Sequence, residues 1–317
     1  MNYKAILIMI TLLVLLSTKV GAEPMRDYPF EQISKYSWVI HGPLTIPSVE
    51  NQGFMNNPGI VITEAGVVVV DPGSSLQAGE MVLRMIKKVT SAPVVATFNT
   101  HVHGDHWLGN QAIHNAYPDA PIYAHRNMIT EAKEGTAERW LKSMERMTEG
   151  FTAGTKAVVA THPLEDGAEI EIGGMTFRVY NNGVAHTKTD IMVEAVEEGV
   201  LFLGDNATTK RFGNVKDGTF KGNIDALNIV MERATTVKHW VPGHGDTGSI
   251  AIPENFRDYL QTVYDAASFV FNEDLDIDEV KLLVMERTKE YSDWESYEYE
   301  IGRHASHAYL EVEMNEF

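Results

Sequence analysis

The stretch Thr100-His101-Val102-His103-Gly104-Asp105-His106 sets three imidazoles and a carboxylate within six residues. Imidazole nitrogens and carboxylate oxygens are the donors that first-row metal ions take. In an extended segment His101 and His103 project to the same side, while a turn at Gly104 swings Asp105 and His106 toward a second point nearby. One short loop can therefore feed two metal sites. With 12 histidines in 317 residues, a chance H-x-H-x-D-H arises on the order of once in a thousand such chains. Scattered surface histidines do not account for it. Any remaining ligands are expected downstream, at the ends of strands.

The flanking patterns supply the elements that must carry this loop. Residues 36–41 read as a first strand, followed by a Pro-, Asn- and Gly-rich loop over 42–58. Near its end stand Phe54 and Met55, which either line a pocket or pack their own loop. Residues 59–63 and 67–70 read as a hairpin. Ser74 or Ser75 caps a helix running to Thr90 with Met81, Leu83, Met85 and Ile86 as its apolar residues. A buried strand at 94–98 then delivers the chain to the histidines. Beyond them, 109–117 is helical, 122–124 is a short strand, 127–149 is a polar helical region, and 169–172 with 175–180 form a hairpin around Gly173-Gly174. Strands follow at 191–196 and 200–203, a helix at 224–234 and a strand at 239–241. The run of strand, turn, strand, helix and strand thus occurs twice. It predicts an α/β fold, an αββα sandwich of two similar βα halves with helices outside, and a C-terminal helical extension.

The chain opens with Lys4, an apolar run from Ala5 to Leu16 and the small residues Val20-Gly21-Ala22, the pattern of a cleaved secretory leader. The predicted organisation is a signal peptide at 1–22, a main domain at 23–250 and a helical extension at 251–317. The twelve-residue run is too short to span a bilayer, so no stable membrane insertion is expected after cleavage. The chain has no cysteine, hence neither a lipidation site nor disulfides, and a periplasmic location is expected. Losing the leader removes Lys4 and Lys19 and moves the formal charge from −18 to −20. A surface this acidic repels phosphate backbones and anionic lipid, which argues against nucleic acid as a partner and for a small-molecule substrate.

H-x-H-x-D-H, Gly183-Val184-Ala185-His186-Thr187, Leu203-Gly204-Asp205 and Pro242-Gly243-His244-Gly245 follow in that order. Together, over roughly residues 36–246, they resemble the metallo-β-lactamase superfamily. The resemblance implies that His101, His103 and His186 hold one metal, that Asp105, His106 and His244 hold the other, and that Asp205 bridges them. Five imidazoles and two carboxylates without a thiolate suit two zinc ions, with iron or manganese chemically possible. Two such ions about 3.5–4 Å apart lower the pKa of a shared water to near neutrality and polarise the bond it attacks. Asp105 would orient the resulting hydroxide and pass its proton to the leaving group. Asp71 either orients a ligand histidine or simply closes its turn, and Thr187 supports its loop. Lys210-Arg211 either greets a substrate carboxylate or is a solvated basic pair. The other histidines, including His304 and His307 three apart on a helix, read as structural or surface residues.

Departures from the family pattern narrow the expected chemistry. Subclasses of true β-lactamases place cysteine or serine where this chain has Asp205, so lactams are expected to be poor substrates. The expected reaction is hydrolysis of an ester, thioester, lactone or amide of a small molecule. His-Thr-x-x-Asp, Leu-Gly-Asp-Asn, the leader and the helical tail together resemble exported hydrolases encoded beside sulfur-oxidation and quinoprotein genes. Alternatives within the same ligand set are β-lactam hydrolysis, iron-dependent redox or sulfur chemistry, and a non-catalytic accessory role in a quinoprotein pathway.

Overall fold

The computed structural model describes residues 24–316; the leader expected at 1–22 lies outside the described residues. In chain order the first half contains β1 (Glu31–Gln32), β2 (Ser37–Val39), β3 (Gly59–Ile62), β4 (Val67–Val70), α1 (Leu76–Val89), β5 (Val94–Phe98), α2 (Gly104–Trp107), α3 (Asn110–Ala116), β6 (Ile122–His125), α4 (Arg126–Glu131), α5 (Ala137–Met147) and β7 (His162–Leu164). The second half contains β8 (Glu169–Ile172), β9 (Met175–Tyr180), β10 (Met192–Ala195), β11 (Val200–Thr208), α6 (Phe220–Arg233) and β12 (His239–His244). After it come α7 (Ala251–Asn272), α8 (Asp278–Arg287) and α9 (Tyr297–Glu316). One sheet runs in order from β1 to β7, antiparallel as far as β4 and parallel beyond it. The other has the order β12-β11-β10-β9-β8, with only β11 and β12 parallel.

Four consecutive valines show why the layers form. All of Val67–Val70 are buried, which a strand achieves only when both of its faces are covered. Val68 and Val70 face the other sheet with Val61, Phe98, Phe177, Val193 and Phe202. Val67 and Val69 face α1 and meet Met81, Val82, Met85 and Ile86. β11 divides in the same way, with Val200 and Phe202 between the sheets and Leu201 and Leu203 against α6 and the tail. The αββα sandwich expected from the repeated pattern is thus the observed fold. Each half contains an antiparallel hairpin, a helix and a strand parallel to the second hairpin strand: β3-β4-α1-β5 in the first and β10-β11-α6-β12 in the second.

Differences from expectation are local. β11 runs on past Leu203 to Thr208, because Gly204 takes a left-handed φ of 55° and shifts the register against β12 without ending the strand. The polar helical region after β6 is broken at Ala132–Thr136 by Gly135, at φ 108°. β1 and β7 are edge strands of two and three residues, too short to show an alternating pattern.

Candidate metal centre

β5 releases the chain at Phe98, and the next residues fold back as α2, whose N-terminal cap is His103. His101 and His103 therefore precede the helix while Asp105 and His106 lie in its single turn. His186 comes from the β9–β10 connection, Asp205 from β11 beside the Gly204 bulge, and His244 from the last position of β12. The structure brings these seven buried residues together as two groups, His101, His103, His186 and Asp205 in one, and Asp105, His106 and His244 in the other. In the first group His186 Nε2 lies 3.1 Å from His103 Nδ1, and Asp205 Oδ2 lies 3.9 Å from His101 Nε2 and 3.7 Å from His186 Nε2. In the second, His106 Nε2 lies 3.3 Å from His244 Nε2. Asp105 Oδ2 is 3.4 Å from the former and 3.3 Å from the latter. Asp205 reaches both groups, its Oδ1 3.1 Å from His106 Nε2 and its Oδ2 3.3 Å from His244 Nε2.

The donor set fits metal ions. Two pairs of ring nitrogens face each other at close to 3 Å, a separation at which one cation can take a lone pair from each ring. Among the described residues, His101 Nε2 and Asp205 Oδ1 are buried without a properly aligned hydrogen-bond partner, a costly arrangement unless something else claims them. Gly243 keeps space clear, since a Cβ there would lie 2.0 Å from Asp205 Oδ1.

Four of the five ligand rings are steadied from the far side. Asp71 accepts from the Thr100 backbone N–H (2.8 Å), the Thr100 hydroxyl (2.6 Å) and His106 Nδ1 (2.8 Å). The Thr100 hydroxyl in turn accepts from His101 Nδ1 at 3.0 Å. One carboxylate thus orients a histidine of each group, directly and through Thr100. His244 Nδ1 donates to the Met55 carbonyl at 2.8 Å. Thr187 donates its N–H and hydroxyl to the buried Asp190 (2.6 and 2.9 Å), and Thr189 accepts the Val102 N–H at 3.1 Å, tying the His186 loop to the His101–His106 loop. Asp217, from the β11–α6 connection, accepts from His103 Nε2 at 3.1 Å.

The charges divide unevenly. Burial pushes His101 well below the ordinary imidazole value and takes His186 down to about 3. Burial also disfavours charge on His106, yet Asp205, Asp105 and Asp71 outweigh it and hold that ring well above its ordinary value. His244 is raised likewise, Asp205 overcoming burial. Burial works against charge on Asp105 and Asp205 too, but His106 and His244 keep both carboxyls below the ordinary carboxylate value. On Asp190 burial outweighs the two hydrogen bonds from Thr187 and the influence of His103, and pushes it up to about 6.

A cleft of about 420 Å³ opens beside His103, lined by Trp140, Arg139, Lys188, Asn214, Lys216 and Asp217 among others. The Trp140 ring lies 5.3 Å from that of His103, close packing that Gly104 permits by having no side chain. Two expected substrate contacts are elsewhere. Phe54 is fully buried under α1 and packs on Tyr28, because its loop turns inward against the core. Lys210 is exposed and pairs with Asp246 at the surface. Its neighbour Arg211 is the buried member, with Nη1 3.4 Å from His244 Nδ1. Trp140, Lys188, Lys216, Asn214 and Asp217 carry no motif, and only the fold brings them to the histidines. Asp190 did stand in the His-Thr-x-x-Asp pattern, and Thr100 at the head of the histidine stretch.

Residues 52–254 match the family model described as the metallo-beta-lactamase superfamily. The chain is 24% identical to the metallo-beta-lactamase type 2 of Bacteroides fragilis over 241 residues, covering 74% of this chain and 88% of that protein. It is 26% identical to the hydroxyacylglutathione hydrolase of Legionella pneumophila (strain Lens), over 55% of this chain and 56% of that protein. The structure of a metallo-beta-lactamase from Pontibacter korlensis superposes with a TM-score of 0.60 at 22% identity, covering 74% of this chain and 99% of that one.

Proposed function

The chain belongs to the metallo-β-lactamase superfamily of metal-dependent hydrolases, and on that premise we propose that it is an exported dinuclear zinc hydrolase of a small-molecule ester, thioester, lactone or amide. The observation that carries the reading is Asp205, whose carboxylate stands between two complete donor groups. Zinc held by His101, His103 and His186 and by Asp105, His106 and His244 would supply a water of lowered pKa and polarise the bond under attack. Asp105, ionised beside His106 and His244, is the proton carrier between nucleophile and leaving group. Asp71 and Thr100 hold the rings of His101 and His106 to a single orientation. The cleft admits the substrate next to His103, and Arg139, Lys188 and Lys216 suit an anionic group on it. Zinc is favoured over iron or manganese by five imidazoles with few oxygens. The leader pattern supports export to the periplasm, and the acidic surface supports a small-molecule partner over nucleic acid.

A second reading, β-lactam hydrolysis, is favoured by the longer match to the Bacteroides enzyme than to the hydroxyacylglutathione hydrolase. Initial rates of the zinc-loaded protein on nitrocefin, an acyl thioester and an aryl lactone separate the two. Turnover of the thioester or lactone well above that of nitrocefin is expected. Dominant nitrocefin hydrolysis selects the second reading, and no turnover of any of the three counts against hydrolysis.

A further inference from the structure

The connection between β11 and α6, residues 209–219, touches the metal centre on one side and the C-terminal extension on the other. Toward the centre, Asp217 accepts the Nε2 hydrogen of His103 at 3.1 Å, while Nδ1 of the same ring faces His186 Nε2. A histidine that ligates through one nitrogen is fixed in tautomer and direction by the acceptor at the other. Among the described residues, Asp217 is the acceptor that does this for His103. Its side chain is 44% exposed at the rim of the cleft, so its own position must be set by the backbone that carries it.

That backbone is fastened by the extension. The Glu295 backbone donates to the Lys210 carbonyl (2.8 Å) and accepts from the Phe212 N–H (3.0 Å). His304 Nε2 donates to the Gly213 carbonyl at 2.8 Å while its Nδ1 accepts from the Tyr259 hydroxyl at 2.7 Å. His307 Nε2 donates to the Gly218 carbonyl, next to Asp217, at 3.2 Å. Glu311 accepts the first free N–H groups of α6, those of Phe220 and Lys221, at 2.6 and 2.9 Å. Phe212 stacks on Trp294 with ring centres 5.0 Å apart. The segments that make these contacts, beyond residue 254, lie outside the stretch that matches the family model.

We propose that α9 is part of the metal-binding apparatus: by fixing the 209–219 connection it holds Asp217 against His103, making Asp217 a positioning residue for the first metal group. The inference rests on the dinuclear reading above. A purely structural tail would stabilise the fold without selecting the direction of the His103 ring.

The test is zinc affinity of the full mature chain, measured by competition with a chelating dye. The variants are Asp217→Ala, Asp217→Asn, the tail pair His307→Ala with Glu311→Ala, and that pair combined with Asp217→Ala. Asp217→Ala should weaken binding by about 10- to 100-fold, and Asp217→Asn, which keeps an acceptor oxygen, should recover most of the loss. The tail pair should weaken binding by about 2- to 30-fold when Asp217 is present and add almost nothing when it is absent. Unchanged affinity in Asp217→Ala overturns the inference, as does an equal tail effect in both backgrounds, because the tail then acts without Asp217. Failure of the unaltered chain to bind zinc would instead reject the dinuclear reading itself.

Discussion

Asp105 is packed between two imidazoles in a position where water has little access, so an ionised carboxylate there is both a donor to metal and a place to put a proton. Asp105→Asn keeps the shape and one oxygen but cannot carry the proton. Zinc content should stay near that of the unaltered protein while kcat falls by about 10²- to 10⁴-fold; near-normal kcat would rule out the proton role. Gly243→Ala tests the cradle from the other side, since its methyl group would displace Asp205. Zinc affinity should drop by about 10- to 100-fold with the secondary structure, read by circular dichroism, unchanged. Because His106 and His244 have raised values, a zinc ion bound there would have to displace protons from that end of the site. Proton release on binding should therefore grow as the pH is lowered, and buffer-dependent calorimetry reads it. At this scale the histidine stretch was legible because several ligands lie close together in the chain. Asp217 was not, because its relation to His103 spans 114 residues and belongs to no local pattern.

The elements were readable where they are long or strictly alternating, as in the β8–β9 hairpin at its full length, and unreadable where a single residue overrides the pattern. Gly204 is the clearest case: a glycine before Asp205 reads as the end of a strand, yet its left-handed turn lets β11 continue and aims the carboxylate between the two groups. Phe202, two residues before that turn, fills the space between the sheets directly over Gly59. Phe202→Ala should cost about 3–5 kcal/mol of stability in denaturant titration; a loss under 1 kcal/mol would mean that the intersheet core is loosely packed. In the tail, burial takes His304 down to about 4 against an ordinary 6.5. Between those values the unfolded chain gains a proton that the folded chain refuses, so this residue destabilises the fold as pH falls from 6.5 toward 4. In metal-free protein the melting temperature of His304→Gln should depend less steeply on pH across that window, although lower overall. An equal slope would show that His304 is free to protonate in place.

The sandwich is two similar halves whose corresponding strand ends meet, with the C-terminal helices packed on the second. Asp71 follows β4 as Asp205 follows the start of β11, and the loop after β5 faces the end of β12. That internal correspondence explains why a metal centre forms at the junction of the two sheets and why its ligands are scattered through more than 140 residues of sequence between His101 and His244. Bound metal then ties one sheet to the other. At free zinc 1,000 times Kd the stabilisation is about 4 kcal/mol, and with about 2–4 °C per kcal/mol for a domain of this order, chelation should lower the melting temperature by roughly 10 °C. The most direct test of the account is the number of zinc ions taken up per chain when chelator-stripped protein is titrated. Two equivalents are predicted, one for each donor group with Asp205 shared between them; saturation at one equivalent, or no uptake, would contradict it.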